Sequence, residues 1–451
     1  MADVYDYGAG FTERAAVSLA NPRLRRAVAD SSDRVVAARL RALESLDDPD
    51  ALRDTAARLR DAVLSRLDIH LDALATNWEA HGGRVFFAAD GAEARDYVRT
   101  VTSGAGIAVK SKSMASEEIG LNGVLESAGM EVVETDLGEW ILQLAGEHPS
   151  HIVAPAIHKS KADVAELFSD IAGKRLPVDT AALTAFARDQ LRAKFLAADV
   201  GITGTNFGVS EAGAVCIVTN EGNARMCSSL PRVHIALMGM ERVVGTFDEL
   251  AVMLALLGRS ATGQKLSQYT TLLFGPRRPN ESDGPEESHL VVLDNGRSKV
   301  LGTPFQKALR CIRCGACLNV CPVYRQVGGH AYDTVYSGPI GAVLNPLLRD
   351  SPQARELAHA STLCGACTEV CPVRIPLHDL LLKLRRGYAE KDAGRVEKTA
   401  YSLWARVWGT RRGFRATAVL GRLGMRLPAR SLPLLNRWTR GRTPPTTGPH
   451  K

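Results

Sequence analysis

Apolar residues recur at intervals of three and four through residues 11–80, in segments such as Asn21 to Ser45 and Asp50 to Ala80, with Asp and Arg on the opposite face. That period predicts amphipathic helices, here an N-terminal helical pair packing on the next part of the chain. From Gly83 the pattern changes. The short runs 84–89, 106–113, 130–136 and 150–156 are apolar and rich in β-branched residues, and they alternate with helical segments at 91–101, 115–128 and 160–170. Such alternation predicts a mostly parallel sheet covered by helices, an α/β domain. Ligands of such sheets sit at the carboxyl ends of strands. Lys110, Ser111, Lys112 and Ser113 fall at one such end, before a helix whose N-terminus favours an anion. An anionic-substrate pocket and a solvated loop both fit that placement.

A helical stretch over 180–197 precedes a glycine-punctuated region, 201–226, in which 214–218 reads as a buried strand. Glu211 sits on the turn before this strand and Glu221 on the turn after it. Glycine turns with acid and amide residues around a buried strand suit a lined pocket, so either Glu is a candidate base or ligand orienter. Exposed acids on scaffold turns are the plainer alternative. Residues 234–244 read as a further strand and turn, 247–257 as a helix, 276–289 as a solvated loop and 289–294 as a last strand. GRSATGQK at 258–265 is not a phosphate loop: Gln264 replaces the lysine and a helix precedes it. His70 and His81 read as helix-end or surface residues rather than ligands.

The strongest chemistry lies further on. Cys311, Cys314, Cys317 and Cys321-Pro322 form a full C-x2-C-x2-C-x3-C-P run, and Cys364, Cys367 and Cys371-Pro372 repeat its last three cysteines. In such runs three thiolates wrap one iron–sulfur cubane while the cysteine before the proline turns to the other cluster. The spacing thus predicts one cluster on Cys311, Cys314, Cys317 and Cys371, and a second on Cys321, Cys364 and Cys367. The second is a ligand short, and Ser361 occupies the place of the missing cysteine. A serine ligand, an open corner held by water or substrate, and a three-iron 3Fe-4S cluster all remain open; otherwise 4Fe-4S clusters are expected. Zinc would take four ligands in two C-x2-C pairs and does not call for the third cysteine or the trailing proline. The runs are 42 residues apart, with short helices predicted at 343–349 and 353–360, so the module reads as all-α and helical-ferredoxin-like.

Composition narrows the setting. Seven of nine cysteines lie in these runs, which fits a reducing cytoplasm rather than a disulfide framework. MADVYDYGAG has neither a basic nor an apolar leader region, and no apolar run reaches the roughly 20 residues of a membrane span. The net charge of +7 comes from residues 401–451, which hold eleven basic and no acidic side chains; the rest is slightly acidic. A chain-wide nucleic-acid surface is therefore not expected. The Arg-rich tail with Trp404, Trp408, Phe414 and Trp438 either packs on the cluster module or lies peripherally on an anionic membrane face or acidic partner. Residues 443–451 read as disordered.

SKSMASEEIGLN (111–122), GTNFGVSEAGAVCIVTNEGNARM (204–226), RSATGQ (259–264) and the two cysteine runs together resemble the lactate utilisation protein B family, the iron–sulfur subunits of a bacterial L-lactate oxidation system. The resemblance implies an α/β domain shared with a companion C subunit and similar to the isomerase and CoA-transferase superfamily. It also implies A and C subunits as partners, and oxidation of L-lactate to pyruvate. The chain then divides into a helical segment 1–80, the lactate-utilisation α/β domain 81–298, a dicluster module 299–385 and a basic region 386–451. Two functions are then open. Either the clusters pass lactate's electrons singly to a quinone or carrier, or the α/β domain is itself the catalyst, with Lys110 or Lys112 holding the carboxylate and Glu211 or Glu221 taking a proton. A generic ferredoxin-like adaptor or scaffold is the blander possibility.

Overall fold

The computed structural model describes residues 9–349, 351–392 and 394–424, and among them ten strands form two sheets. In chain order these are β1 Arg84–Ala88, β2 Ile107–Lys110, β3 Glu131–Glu134, β4 Val200–Gly204, β5 Phe207–Val209, β6 Ala214–Thr219, β7 Val233–Gly239, β8 Val243–Val244, β9 Tyr269–Leu273 and β10 Glu287–Leu293. The larger sheet runs β1-β10-β7-β4-β2-β3 with every pairing parallel. The smaller, β8-β5-β6-β9, is mixed.

Side-chain alternation explains the layering. In β2 Ala108 belongs to one core and Val109 to the other, and in β3 Val132 and Val133 divide likewise. One face packs on Ala94 and Val98 of the helix Gly91–Val101 and on Leu125 of Leu121–Ser127. The other buries Trp140, Phe168 and Leu191 from the helices Leu137–Ala145, Lys161–Ala172 and Thr180–Ala197. A parallel sheet covered on both faces is the α/β arrangement that the alternation predicts.

Three elements differ from their sequence reading. The helix expected over 115–128 is two, Met114–Glu118 and Leu121–Ser127, because Gly120 between them takes φ +63°. Residues 150–156 form no strand. His151 Nδ1 accepts the amides of Val153 and Ala154, both at 3.0 Å, and turns the chain, and Ile152 is buried outside the sheet. The N-terminal pair is four helices, Phe11–Leu19, Pro22–Leu43, Pro49–Leu64 and Leu67–Ala80. Pro22 and Pro49 start their helices behind the capping side chains of Asn21 and Asp48, which is where proline is tolerated.

These helices reach the cysteine segment. Arg39 donates to Val370 O and Arg53 to Cys371 O, each at 3.0 Å. Arg60 is wholly buried and reaches Val243 O at 2.6 Å, Leu309 O at 3.1 Å and Glu241 O. Each guanidinium thus satisfies carbonyls in loops and at or near the ends of short elements. Residues 299–385 carry only helices and turns, among them Gly338–Leu348 and the start of Leu377–Asp392. The chain divides into two compact units, Met1–Arg385 and Arg386–Lys451. The second contains the helices Arg395–Trp408 and Arg411–Gly424; Trp438 and residues 443–451 lie outside the described residues. No described helix is long and apolar enough to cross a membrane.

Candidate functional site

The two cysteine runs fold into the same loop. Arg313 and Gly315 have left-handed backbone, φ +58° and +72°, and Leu363 and Gly365 repeat this at +56° and +86°. Left-handed residues on both sides of the second cysteine curl the chain so that amides face inward, as in anion-binding nests. Cys311 Sγ accepts the amide of Arg313 at 3.4 Å, and Ser361 Oγ accepts the amide of Leu363 at 3.1 Å. Ser361 therefore stands where Cys311 stands. Short helices, Ala316–Asn319 and Ala366–Val370, then carry Cys317 and Cys367, and the cysteines before the prolines accept amides from Tyr324 at 3.5 Å and Ile375 at 3.3 Å.

The thiols fall into two electrostatic sets. Cys317 lies in the field of Cys311, Cys314 and Cys371, and less strongly of Cys367, while Cys367 lies in that of Cys321 and Cys364. Burial pushes the Cys314 and Cys367 thiols up to about 12 and Cys371 to about 11. Such thiols become good ligands when a metal takes the proton's place, and it is the repeated loop, with its cysteine spacing and inward-facing amides, that fits an iron–sulfur cluster. Among the described residues no three His, Cys, Asp or Glu side chains close on one point as a zinc shell would. A cubane asks for less, since its thiolates are spread around the cluster.

Of the four other candidates, the structure brings Lys112 and Glu221 together on the wall of one cavity and leaves Lys110 and Glu211 outside its lining. Lys112 Nζ donates to Val153 O at 2.8 Å. Glu221 accepts the amide of Leu137 at 3.0 Å, and burial, then Asp136, push its carboxyl above the usual range. Lys110 is fully buried with its Nζ 2.6 Å from Glu134; burial works against its charge, but Glu134 and Glu117 hold its pKa above normal. Glu211 accepts the amide of Phe247 at 2.8 Å, at the start of the helix Phe247–Ala261.

The cavity, of ≈ 370 Å³, opens where the parallel strands end, at Ser111 beyond β2, Thr205 beyond β4 and Gly239 of β7. Its far wall is the cysteine segment, through Arg313 and Tyr336. A buried ion network joins the two walls. Arg297 binds Glu118 and Glu241, each at 2.7 Å, and Arg313 binds Glu241 at 3.0 Å. Burial alone would raise the Glu118 carboxyl, but Arg297 with Asn295 and Tyr336 holds it at about 2. Arg242 donates to Cys311 O at 2.6 Å. Nearby, His151 Nε2 meets Asn319 Oδ1 at 3.2 Å, and burial lowers its pKa to about 4, so it is neutral and donates from Nε2. Sequence reasoning missed Thr205, Glu241, Arg242, Arg297, Arg313 and Tyr336. Arg313 had a signal in its place inside the first C-x2-C, and Thr205 in the glycine-punctuated region 201–226; only the fold collects the others.

The LUD domain family matches residues 71–293 and the 4Fe-4S dicluster domain matches residues 307–375. Lactate utilization protein B of Bacillus licheniformis is 52% identical over 386 residues, covering 85% of this chain and 81% of that protein. Its namesake from Shouchella clausii is 50% identical over 396 residues, covering 87% and 83%. Electron transport protein YkgF of Escherichia coli K12 is 48% identical over 398 residues, covering 88% and 84%. A solved DUF162 family protein from Deinococcus radiodurans is 14% identical and covers 50% of this chain and 98% of that one, at a TM-score of 0.28, too low to bear on the fold. The chain joins an α/β LUD domain to an iron–sulfur dicluster domain of the 4Fe-4S type.

Proposed function

The chain belongs to the lactate utilization protein B family, and from that premise we propose that it is the iron–sulfur electron-transfer subunit of a system oxidising L-lactate to pyruvate. The observation that carries the reading is the duplicated cysteine loop, with its thiols in two exchanged sets. Cys311, Cys314, Cys317 and Cys371 would hold one cluster, and Cys321, Cys364 and Cys367 the other, with the Ser361 position at its remaining corner. Bound clusters supply one-electron steps whose potentials follow nearby charge and hydrogen bonds. The chain's own part is to set that environment. Arg242, Arg39 and Arg53 bring positive charge against the carbonyls of Cys311, Val370 and Cys371.

The proposed partners are the companion A and C subunits and a quinone or other carrier, with the basic tail lying on an anionic surface. The domain boundaries 81–298 and 299–385, an isomerase/CoA-transferase-like fold for the first and a helical ferredoxin-like one for the second, belong to the same reading. A second reading, favoured by the cavity beside the first loop, makes the α/β domain the catalyst, with Lys112 on the carboxylate and Glu221 as base. Electron paramagnetic resonance of the anaerobic protein separates them. Cluster reduction by L-lactate only when both companion subunits are present supports the relay. Reduction of the isolated chain, lost in Glu221→Gln, supports catalysis in the α/β domain. No reduction in either mixture, with iron and sulfide intact, removes both.

A further inference from the structure

One wall of the cavity is left electrostatically and chemically incomplete. Three guanidinium groups, Arg242, Arg297 and Arg313, stand with two carboxylates, Glu118 and Glu241, and the fully buried Arg60 reaches Glu241 O, so guanidinium groups outnumber carboxylates here. Arg297 spends its donors on Glu118, Glu241 and Tyr336. Arg242 serves the carbonyls of Cys311 and Ile312 and lies 4.7 Å from the Phe207 ring centroid. Arg313 differs. Its Nη2 meets Glu241 and its guanidinium lies 4.2 Å from the Tyr336 ring centroid, but its Nη1 is buried and donates to nothing. Thr205 Oγ1, on the turn after β4, is also buried without a partner. Both residues line the cavity. An unmade buried hydrogen bond is costly, and more so when the group is charged. Two of them on one polar cavity mark a place where a ligand belongs.

We propose that Arg313 and Thr205 bind a small 2-hydroxy or 2-oxo monocarboxylate in this cavity, the guanidinium taking the carboxylate and the threonine hydroxyl the adjacent oxygen. Glu241 engages Nη2, so Arg313 presents its Nη1, whose N–H groups can donate to a carboxylate oxygen. A threonine hydroxyl both donates and accepts, so it serves a hydroxyl and a keto oxygen alike. A three-carbon acid displaces roughly three waters of about 30 Å³ each. The space beyond it is bordered by Asn206, Asn220 and Thr262, which water can satisfy.

This site deepens the electron-transfer reading and rests on it, because Arg313 lies between Cys311 and Cys314 and is shared by ligand and first cluster. An electron added to that cluster places negative charge beside Arg313 and weakens its hold on the acid. By linkage the bound acid lowers the cluster's midpoint potential. Binding tenfold weaker to the reduced protein corresponds to a fall of about 59 mV.

The test is equilibrium dialysis of radiolabelled pyruvate against the cluster-loaded protein, oxidised and dithionite-reduced, for wild type, Arg313→Lys and Thr205→Val, with iron and sulfide measured in each. Expected are saturable binding that acetate does not displace, and affinity down about tenfold or more in each variant and on reduction. Thr205 lies outside the cysteine loops, so Thr205→Val decides alone should Arg313→Lys fail to load iron. Equal binding in wild type and Thr205→Val, or none to fully loaded wild type, overturns the proposal. If lactate with the companion subunits still reduces the clusters in that case, the relay stands and Arg313 is only a counter-charge. Pyruvate binding as expected, with no cluster reduction by lactate, would keep the site and sink the relay.

Discussion

Arg297 is held by two carboxylates, and its removal leaves both Glu118 and Glu241 buried without their principal cation. Stranding a buried charge costs about 3–5 kcal/mol, so Arg297→Met is expected to lower the urea midpoint accordingly, read through tryptophan fluorescence. The pH dependence carries the sign. In the wild type Glu118 titrates at about 2 against an ordinary 4.5, so its contribution, roughly 3 kcal/mol, is complete above pH 4.5 and is lost as pH falls toward 2. Without Arg297, burial raises the same carboxyl above its unfolded value, and the variant loses stability as pH rises. Other shifted groups are common to both proteins, so the gap in urea midpoint between wild type and variant should widen from about pH 6 to about pH 8; a constant gap refutes this. Gly239 belongs to the same device. A Cβ there would lie 2.4 Å from Glu241 Oε2 and 2.9 Å from Arg297 Nε, so only glycine lets the ion pair cross the end of β7. Little of this network was legible in the sequence, because Glu118, Glu241, Arg297 and Tyr336 are far apart in the chain and only Glu118 sits in a motif, one that gives no hint of its partners. Lys112 and Glu221 were legible, since strand ends and glycine turns announce themselves locally.

The repeated cysteine loop is the element whose sequence and structure agree most closely, down to left-handed residues at matching places. Ser361→Cys is therefore expected to fold without strain, with the Leu363 amide already placed for a sulfur. Iron content should reach about eight atoms per chain, from two four-iron clusters. A three-iron resonance that persists in the oxidised variant would show that this position is not a cluster corner. Other elements were harder to read. Residues 150–156 have a strand's composition, yet the buried stretch Ser150 to Ile152 lies beside the cysteine segment; Gly315 leaves room for His151, which a Cβ would meet at 3.2 Å. Periodicity reports burial without naming the neighbour. β5 has three residues and β9 is half exposed, too little pattern for either to stand out.

Across the whole molecule, parallel sheet and dicluster segment were each legible, while the packing of one on the other was not, since long-range contacts leave no local trace. Removing everything after residue 392 is expected to leave iron content unchanged, because Leu377, Leu380, Leu381 and Leu384 are already buried in the first unit. The helices that go expose Trp404, Trp408, Phe414 and Leu420 among arginines, so co-sedimentation with anionic vesicles should be lost; its survival would assign that contact elsewhere. Arg39, Arg53 and Arg60, which tie the first helices to the last loops, also fix an order in time. The N-terminus leaves the ribosome first and domains fold as they emerge. The guanidinium straps are therefore synthesised long before the carbonyls they clasp. Completing the proposed sites is a last-step event: a chain cut short before Cys364 would carry a finished sheet and the first cysteine loop alone, three of the four thiols proposed for its cluster.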